Sequence, residues 1–149
     1  MELKPVKIGE NYLEVPIIQG GMGIGVSRCR LAGAVAKEGG MGVISAAQVG
    51  YDDPDFRKNP EDANLRALRR QISRAKELSE GRGMIGVNIM AVTQLYEDYV
   101  KVCAEAGADA IISGAGLPTT LPKCAEGYDI KIAPIVSSEK SARVILKSW

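Results

Sequence analysis

The sequence predicts an α/β fold in which parallel strands alternate with helices, and three observations predict it. Short apolar runs recur at Val15 to Ile18, Gly42 to Ala46, Met84 to Met90, Ala108 to Ser113 and Ile130 to Val136. They are rich in Ile and Val and do not strictly alternate, as expected of strands buried on both faces of a parallel sheet. The segments between them show helical spacing of apolar residues, and nearly every run ends in Gly, Ser or Asn.

The first run leads into Gly20-Gly21-Met22-Gly23, and a helix is expected from about Arg28 to Lys37, capped by Ser27 and closed by Gly39-Gly40. After the second run comes a polar insert, Tyr51 to Asp62 within a long loop from Val49, with Pro54, Asn59, Pro60 and the acidic Asp52, Asp53, Asp55 and Glu61. It reads as a surface loop over one end of the sheet, where loops of barrel enzymes shape the active-site mouth. Leu65, Leu68, Ile72 and Ala75 then mark one face of a helix, with Arg66, Arg69, Arg70 and Lys76 elsewhere. Following the third run, a helix is expected to start near Thr93 as N-cap, bury Tyr96, Val100, Cys103 and Ala104, and end at Gly107. Two weaker helices are expected near Thr119 to Ala125 and Ser138 to Lys147.

Repeated βα units leave two architectures, a doubly wound open sheet or a (β/α)₈ TIM barrel. A dinucleotide-binding sheet places one glycine fingerprint after its first strand. Here small or polar residues close successive strands: Gly20 to Gly23, Ser45, Asn88, Ser113-Gly114-Ala115-Gly116 and Ser137-Ser138. That distribution marks a barrel whose C-terminal face holds a ligand. A full barrel takes about 250 residues. These 149 residues are expected to form its N-terminal part, about five βα units.

Hydrophobic residues make up 46% and charged residues 25%, ordinary for one globular unit, with nineteen basic against eighteen acidic side chains. This balance gives no electrostatic case for nucleic acid or an anionic membrane, so a small-molecule partner is expected. No stretch approaches about 18 apolar residues and none resembles a signal peptide, which places the protein in the cytosol. Cys29, Cys103 and Cys124 are widely spaced and histidine is absent, so a zinc site is not expected and the thiols read as reduced, two of them on buried helix faces.

Gly20, Gly21 and Gly23 would let a flat ring approach the backbone, with Met22 as a polarisable surface; a tight βα turn explains them equally well. Gly39-Gly40-Met41-Gly42 lies at the opposite end and reads as helix stop and strand entry. Asn88 is a costly amide inside an apolar strand unless hydrogen-bonded, to a ligand edge or to its neighbours. Ser113 is the best hydroxyl candidate, beside Gly114, although a glycine-rich turn is an equal alternative. Ser138 would bond a ligand or cap the next helix. With no histidine, no paired carboxylates at strand ends and no cysteine beside a base, redox chemistry would have to come from a cofactor.

Taken together, Pro16-Ile17-Ile18-Gln19-Gly20-Gly21-Met22-Gly23, Leu31 to Ile44, Gly86-Val87-Asn88-Ile89-Met90 and Ser113-Gly114-Ala115-Gly116 resemble the nitronate monooxygenase (2-nitropropane dioxygenase) family. They are similar also to the flavin-dependent enoyl-acyl-carrier-protein reductases. The resemblance implies an FMN-binding TIM barrel, with Gly20, Gly21, Met22 and Gly23 beside the isoalloxazine and Ser45 at the second strand end. It implies Asn88 on the ring or ribityl chain, and Ser113, Gly114 and Ile135 near the ring. The family's catalytic histidine and phosphate-binding glycines fall beyond these residues, so none of them is assigned a catalytic role, and this piece alone is expected to hold FMN poorly and to be inactive. Nitronate oxidation with FMN and oxygen is the favoured reaction, and NAD(P)H-dependent enoyl reduction the alternative, to which Pro134 and the Gly20-Gly21-Met22 form point. A different class, a non-catalytic half-barrel that associates with itself or with a second half, would be marked by polar capping of the sheet edge after Ile130 to Val136; that run is apolar and uncapped, which counts against it, and an exposed edge predicts a homo-oligomer.

Overall fold

The computed structural model describes residues 3–149. An antiparallel hairpin, β1 (Val6–Ile8) and β2 (Asn11–Leu13), opens the chain. Strands of three residues lie below what hydrophobic periodicity detects, and the sequence reading missed them. Five parallel strands follow: β3 (Ile18–Gln19), β4 (Met41–Ser45), β5 (Met84–Met90), β6 (Ala110–Gly114) and β7 (Lys131–Pro134). Helices α1 (Cys29–Lys37), α2 (Pro60–Ser79), α3 (Tyr96–Glu105), α4 (Leu121–Cys124) and α5 (Glu139–Ser148) alternate with them.

The strand order is β3-β4-β5-β6-β7, each strand pairing with the next in sequence. A doubly wound sheet reverses its order at a switch point, whereas a barrel wall does not, so the topology is that of part of a TIM barrel. One face buries Ile44, Ile85, Val87, Ile89 and Ile111 against Ala32, Leu68, Ile72, Val100 and Cys103 of the helices. The other is the inner face, where Met41, Val43, Met84 and Ala110 meet Leu13 of the hairpin, which is 1% exposed and closes the N-terminal end. Helix α1 lies directly on the backbone of β4: a Cβ on Gly42 would stand 1.9 Å from the Ala32 carbonyl oxygen.

Several element ends differ from expectation. The first parallel strand is Ile18–Gln19, shifted from the expected Val15 to Ile18. Pro16 lacks an amide for the ladder, and Val15 instead donates to Gly39 O. Ser27 is not the cap of α1. Arg28 holds that position without a side-chain capping bond, and the Cys29 amide donates to Gln71 Oε1 of α2 at 2.9 Å. Thr93 does not cap α3, which starts after Leu95 in a left-handed conformation, φ 55. The insert is shorter than expected because Pro60, Glu61 and Asp62 already belong to α2, with proline in its first turn. Ser138 does cap α5, in a reciprocal pair with Ser141. The cysteines are free: Cys103 is buried, with its thiol pushed up by desolvation, and Cys29 and Cys124 are half-buried. Among the described residues no helix is long and apolar enough to cross a membrane.

Candidate functional site

Side-chain alternation fixes what the inner face offers at its C-terminal end. Continuing from Met41 and Val43 it presents Ser45, from Met84 it presents Asn88 and Met90, and from Ala110 it presents Ile112 and Gly114. The register sets Ser45 opposite Asn88, Asn88 opposite Ile112, and Met90 opposite Gly114. Asn88 Nδ2 donates to the Ile112 carbonyl at 3.2 Å, and its Oδ1 accepts no hydrogen bond among the described residues.

The glycine segment after β3 folds over this row. A Cβ on Gly21 would lie 2.7 Å from Asn88 Cβ, and one on Gly23 would lie 3.2 Å from both Ser45 Oγ and Ala47 Cβ. Nothing comes within 4 Å of the corresponding position on Gly20. The structure therefore brings Ser45 and Asn88 together beneath the backbone strip of Gly21 and Gly23, and Met22, 45% exposed, stands at its edge. On the opposite side Gly114 abuts Ile135, whose Cβ would be 3.0 Å from a Cβ on Gly114 and whose side chain is half exposed.

Ser113 is placed differently from the sequence expectation. Its side chain takes the other phase of β6 and faces α3, where Oγ donates to Ile89 O at 2.9 Å and accepts from Tyr96 Oη at 2.8 Å. It is 0% exposed, so its hydroxyl is committed to the fold and turned away from the inner face. Desolvation raises the Tyr96 phenol above its ordinary value, keeping it a neutral donor. Ser138, the other hydroxyl considered, is committed to capping α5.

Gln19 was not singled out, yet it holds the glycine strip. Its Oε1 accepts from Val43 N at 3.2 Å while Nε2 donates to Val43 O at 3.3 Å, so the side-chain amide stands in for a peptide group and continues the β3–β4 ladder where Gly20 turns away. Nε2 also reaches Ser27 Oγ at 2.8 Å, which is what that serine does instead of capping. A glutamine directly before glycines at the end of an apolar strand was the available signal.

The long loop is bound by charge. Arg28 grips Asp52 through two bonds of 2.7 and 3.0 Å and lies over the Tyr51 ring, while Asp53 and Asp55 pair with Arg70 and Arg66 of α2. Arg28 holds the Asp52 carboxyl below its ordinary value. Asp52, Asp53 and Asp55 are thus each held by an arginine, and among the described residues no group of side chains could hold a metal. Two clefts open at this end of the sheet. One, of about 460 Å³, is lined by Ile24, Ala47, Phe56, Met90 and Tyr99. The other, of about 530 Å³, lies between the loops after β6 and β7, by Gly116, Leu117, Ile135 and Ser141.

The nitronate monooxygenase family model matches residues 4–149, almost the entire chain. The chain belongs to the nitronate monooxygenase family. Among solved structures this family member is similar to FabK from Thermotoga maritima, at 31% identity and a TM-score of 0.67, over 89% of this chain and 37% of that one. It is similar in fold to the nitroalkane oxidase from Streptomyces ansochromogenes, at 19% identity and a TM-score of 0.67, over 89% of this chain and 43% of that one. The family member thus spans well under half the length of either. Among curated protein sequences nothing matches it.

Proposed function

We propose that the protein is an FMN-dependent oxidoreductase of the nitronate monooxygenase type, with the flavin seated on the C-terminal end of the inner face. The observation that carries this reading is the side-chain-free strip of Gly20, Gly21 and Gly23 above Ser45 and Asn88, flanked by exposed Met22, Met90 and Ile135. A planar, largely apolar group with a polar edge suits such a face, so these residues fit a flavin. Asn88 Oδ1 and the second hydrogen of Nδ2 would meet its pyrimidine edge or ribityl chain, Ser45 Oγ would add a short polar contact, and Gly114 and Ile135 would bound the far side. Ser113 would contribute backbone only.

When bound, FMN would supply the redox chemistry for the conversion of an alkyl nitronate, with oxygen as co-substrate, to a carbonyl compound and nitrite. The chain's own part is to bind, orient and shield. No histidine is present among these residues to move a proton. This span alone is expected to hold FMN weakly and to be inactive. A second reading, enoyl-acyl-carrier-protein reduction with NAD(P)H, is favoured by the 31% identity to FabK and by Pro134 at the end of β7.

The test is an FMN titration followed in the visible spectrum, on the protein and on Asn88→Ala. Perturbed flavin bands that weaken about tenfold in affinity with the loss of one ligand bond are expected; an unchanged affinity in the variant would remove Asn88 from the site. Nitronate-dependent nitrite release and enoyl-thioester-dependent NAD(P)H oxidation by the complete barrel separate the two reactions.

A further inference from the structure

Between the end of β3 and the start of α1, no residue from Gly20 to Val26 is buried. Ile24 and Val26 are each more than half exposed, so no apolar anchor fixes the path of the strip that covers Ser45 and Asn88. Four of its seven residues are glycine, which loses more freedom on ordering than any other residue. Packing alone does not hold such a segment.

Two polar side chains flank it. Before the strip, Gln19 is oriented by Val43: its Oε1 can only accept, and it does so from the Val43 amide at 3.2 Å, which commits Nε2 to acceptors. These are Val43 O at 3.3 Å, Ser27 Oγ at 2.8 Å and Gly20 O, three acceptors for two hydrogens. After the strip, Ser27 is 1% exposed. Its Oγ accepts from Gln19 and donates to Gly20 O at 3.4 Å, its amide donates to Met22 O at 2.9 Å, and its carbonyl accepts from the Ser45 amide at 3.1 Å. The two residues join both ends of the strip and tie it to the end of β4. Their polar hydrogens are spent within the protein, which leaves them to position a site and not to ligate in it.

We propose that Gln19 and Ser27 form a clasp that holds the glycine strip over Ser45 and Asn88 before any ligand arrives, and so act as positioning residues for the flavin seat; that the seat receives a flavin rests on the reading above. A strip already ordered spares the ligand the cost of ordering it, so opening the clasp weakens binding without removing a ligand contact.

The experiment follows the backbone by ¹⁵N relaxation and amide exchange in the protein without FMN, in Gln19→Met and in Ser27→Ala. Gln19→Met keeps a long side chain and removes its bonds, and Ser27→Ala, the loss of one hydroxyl, keeps the measurement available if the first variant does not fold. In both, the order parameters of Gly20, Gly21 and Gly23 should fall, and the amides of residues 27 and 45 should exchange about tenfold faster. Ser79→Ala, which loses a buried hydroxyl bond to Lys76 O at the C-terminal end of α2, should leave these signals unchanged. FMN titration should then show affinity about tenfold weaker in both clasp variants. A strip as rigid in both as in the parent, one equally loosened by Ser79→Ala, or one loosened with FMN affinity unchanged would overturn the proposal. The two readings fail separately: a strip loosened in the clasp variants of a protein that takes up no FMN leaves the clasp standing and sinks the flavin reading, whereas FMN uptake with a strip rigid throughout sinks only the clasp.

Discussion

At the scale of single residues, burial decides which polar groups remain available for a ligand. Asn88 and Ser113 both sit near the ends of apolar strands and look equivalent in sequence, but one position of phase turns Asn88 inward and Ser113 toward α3. Ser113→Ala should therefore act on stability. Loss of its bonds to Tyr96 and Ile89 is expected to cost about 1–2 kcal/mol by denaturant unfolding, with FMN affinity unchanged. A fall in FMN affinity at undiminished stability would restore the serine to the ligand site. The opposite pattern is expected for Asn88→Ala, whose unused acceptor is its contribution. Gln19 shows a third role, a side chain completing a ladder that the glycines interrupt.

At the scale of elements, the helix layer and the loop are held by different forces. Helix α1 meets β4 backbone to backbone, so Gly42→Ala would drive a methyl group into the Ala32 carbonyl. The expected loss is about 3 kcal/mol or more, with a large fall in Tm, because neither backbone can yield without separating the layers. An alanine variant as stable as the parent would show that α1 shifts freely on the sheet. The loop after β4 depends instead on Arg28 and Asp52. Asp52 has a lowered value in the folded state, so its contribution is present above the ordinary carboxylate value of 3.8 and disappears as pH falls through the folded value. The Tm difference between the protein and Asp52→Asn should be seen at neutral pH and shrink to nothing on acidification below that range. A difference that persists in acid would assign the loop's stability to packing. Both partners are partly exposed, so the effect is small and screened by salt.

At the scale of the whole molecule, the sheet is strongest at its centre. β4 and β5 pair on both sides and are buried almost throughout, whereas β3 and β7 each pair on one side only among the described residues. Amide exchange should be slowest in Ile44, Val87 and Ile89 and fast in β3 and β7. Protection of β7 equal to that of β5 would reveal a partner on the open edge, a second copy or further strands of the barrel. Ile135 and Val136, both exposed, extend that edge and make self-association the outcome to check first by light scattering.

The sequence by itself determined the alternation of strands and helices, the parallel sheet and the clustering of Gly20 to Gly23, Ser45, Asn88 and Gly114 at one end. These follow from local periodicity and from glycines and short polar residues closing apolar runs, signals confined to a few neighbouring residues. Four motifs in order also carried the family. Other features depend on partners far along the chain, and only the tertiary structure decided them. Gln71 of α2 caps α1, so Ser27 is free to meet Gln19. Leu13 of a three-residue strand closes the inner face, invisible to any pattern because its core neighbours are distant in sequence. The phase of β6 hides Ser113, since strand register is set by packing against α3 and not by the residue itself. The cleft beside Met90 exists because two loops, after β4 and after β5, converge, and convergence is a property of the folded chain alone.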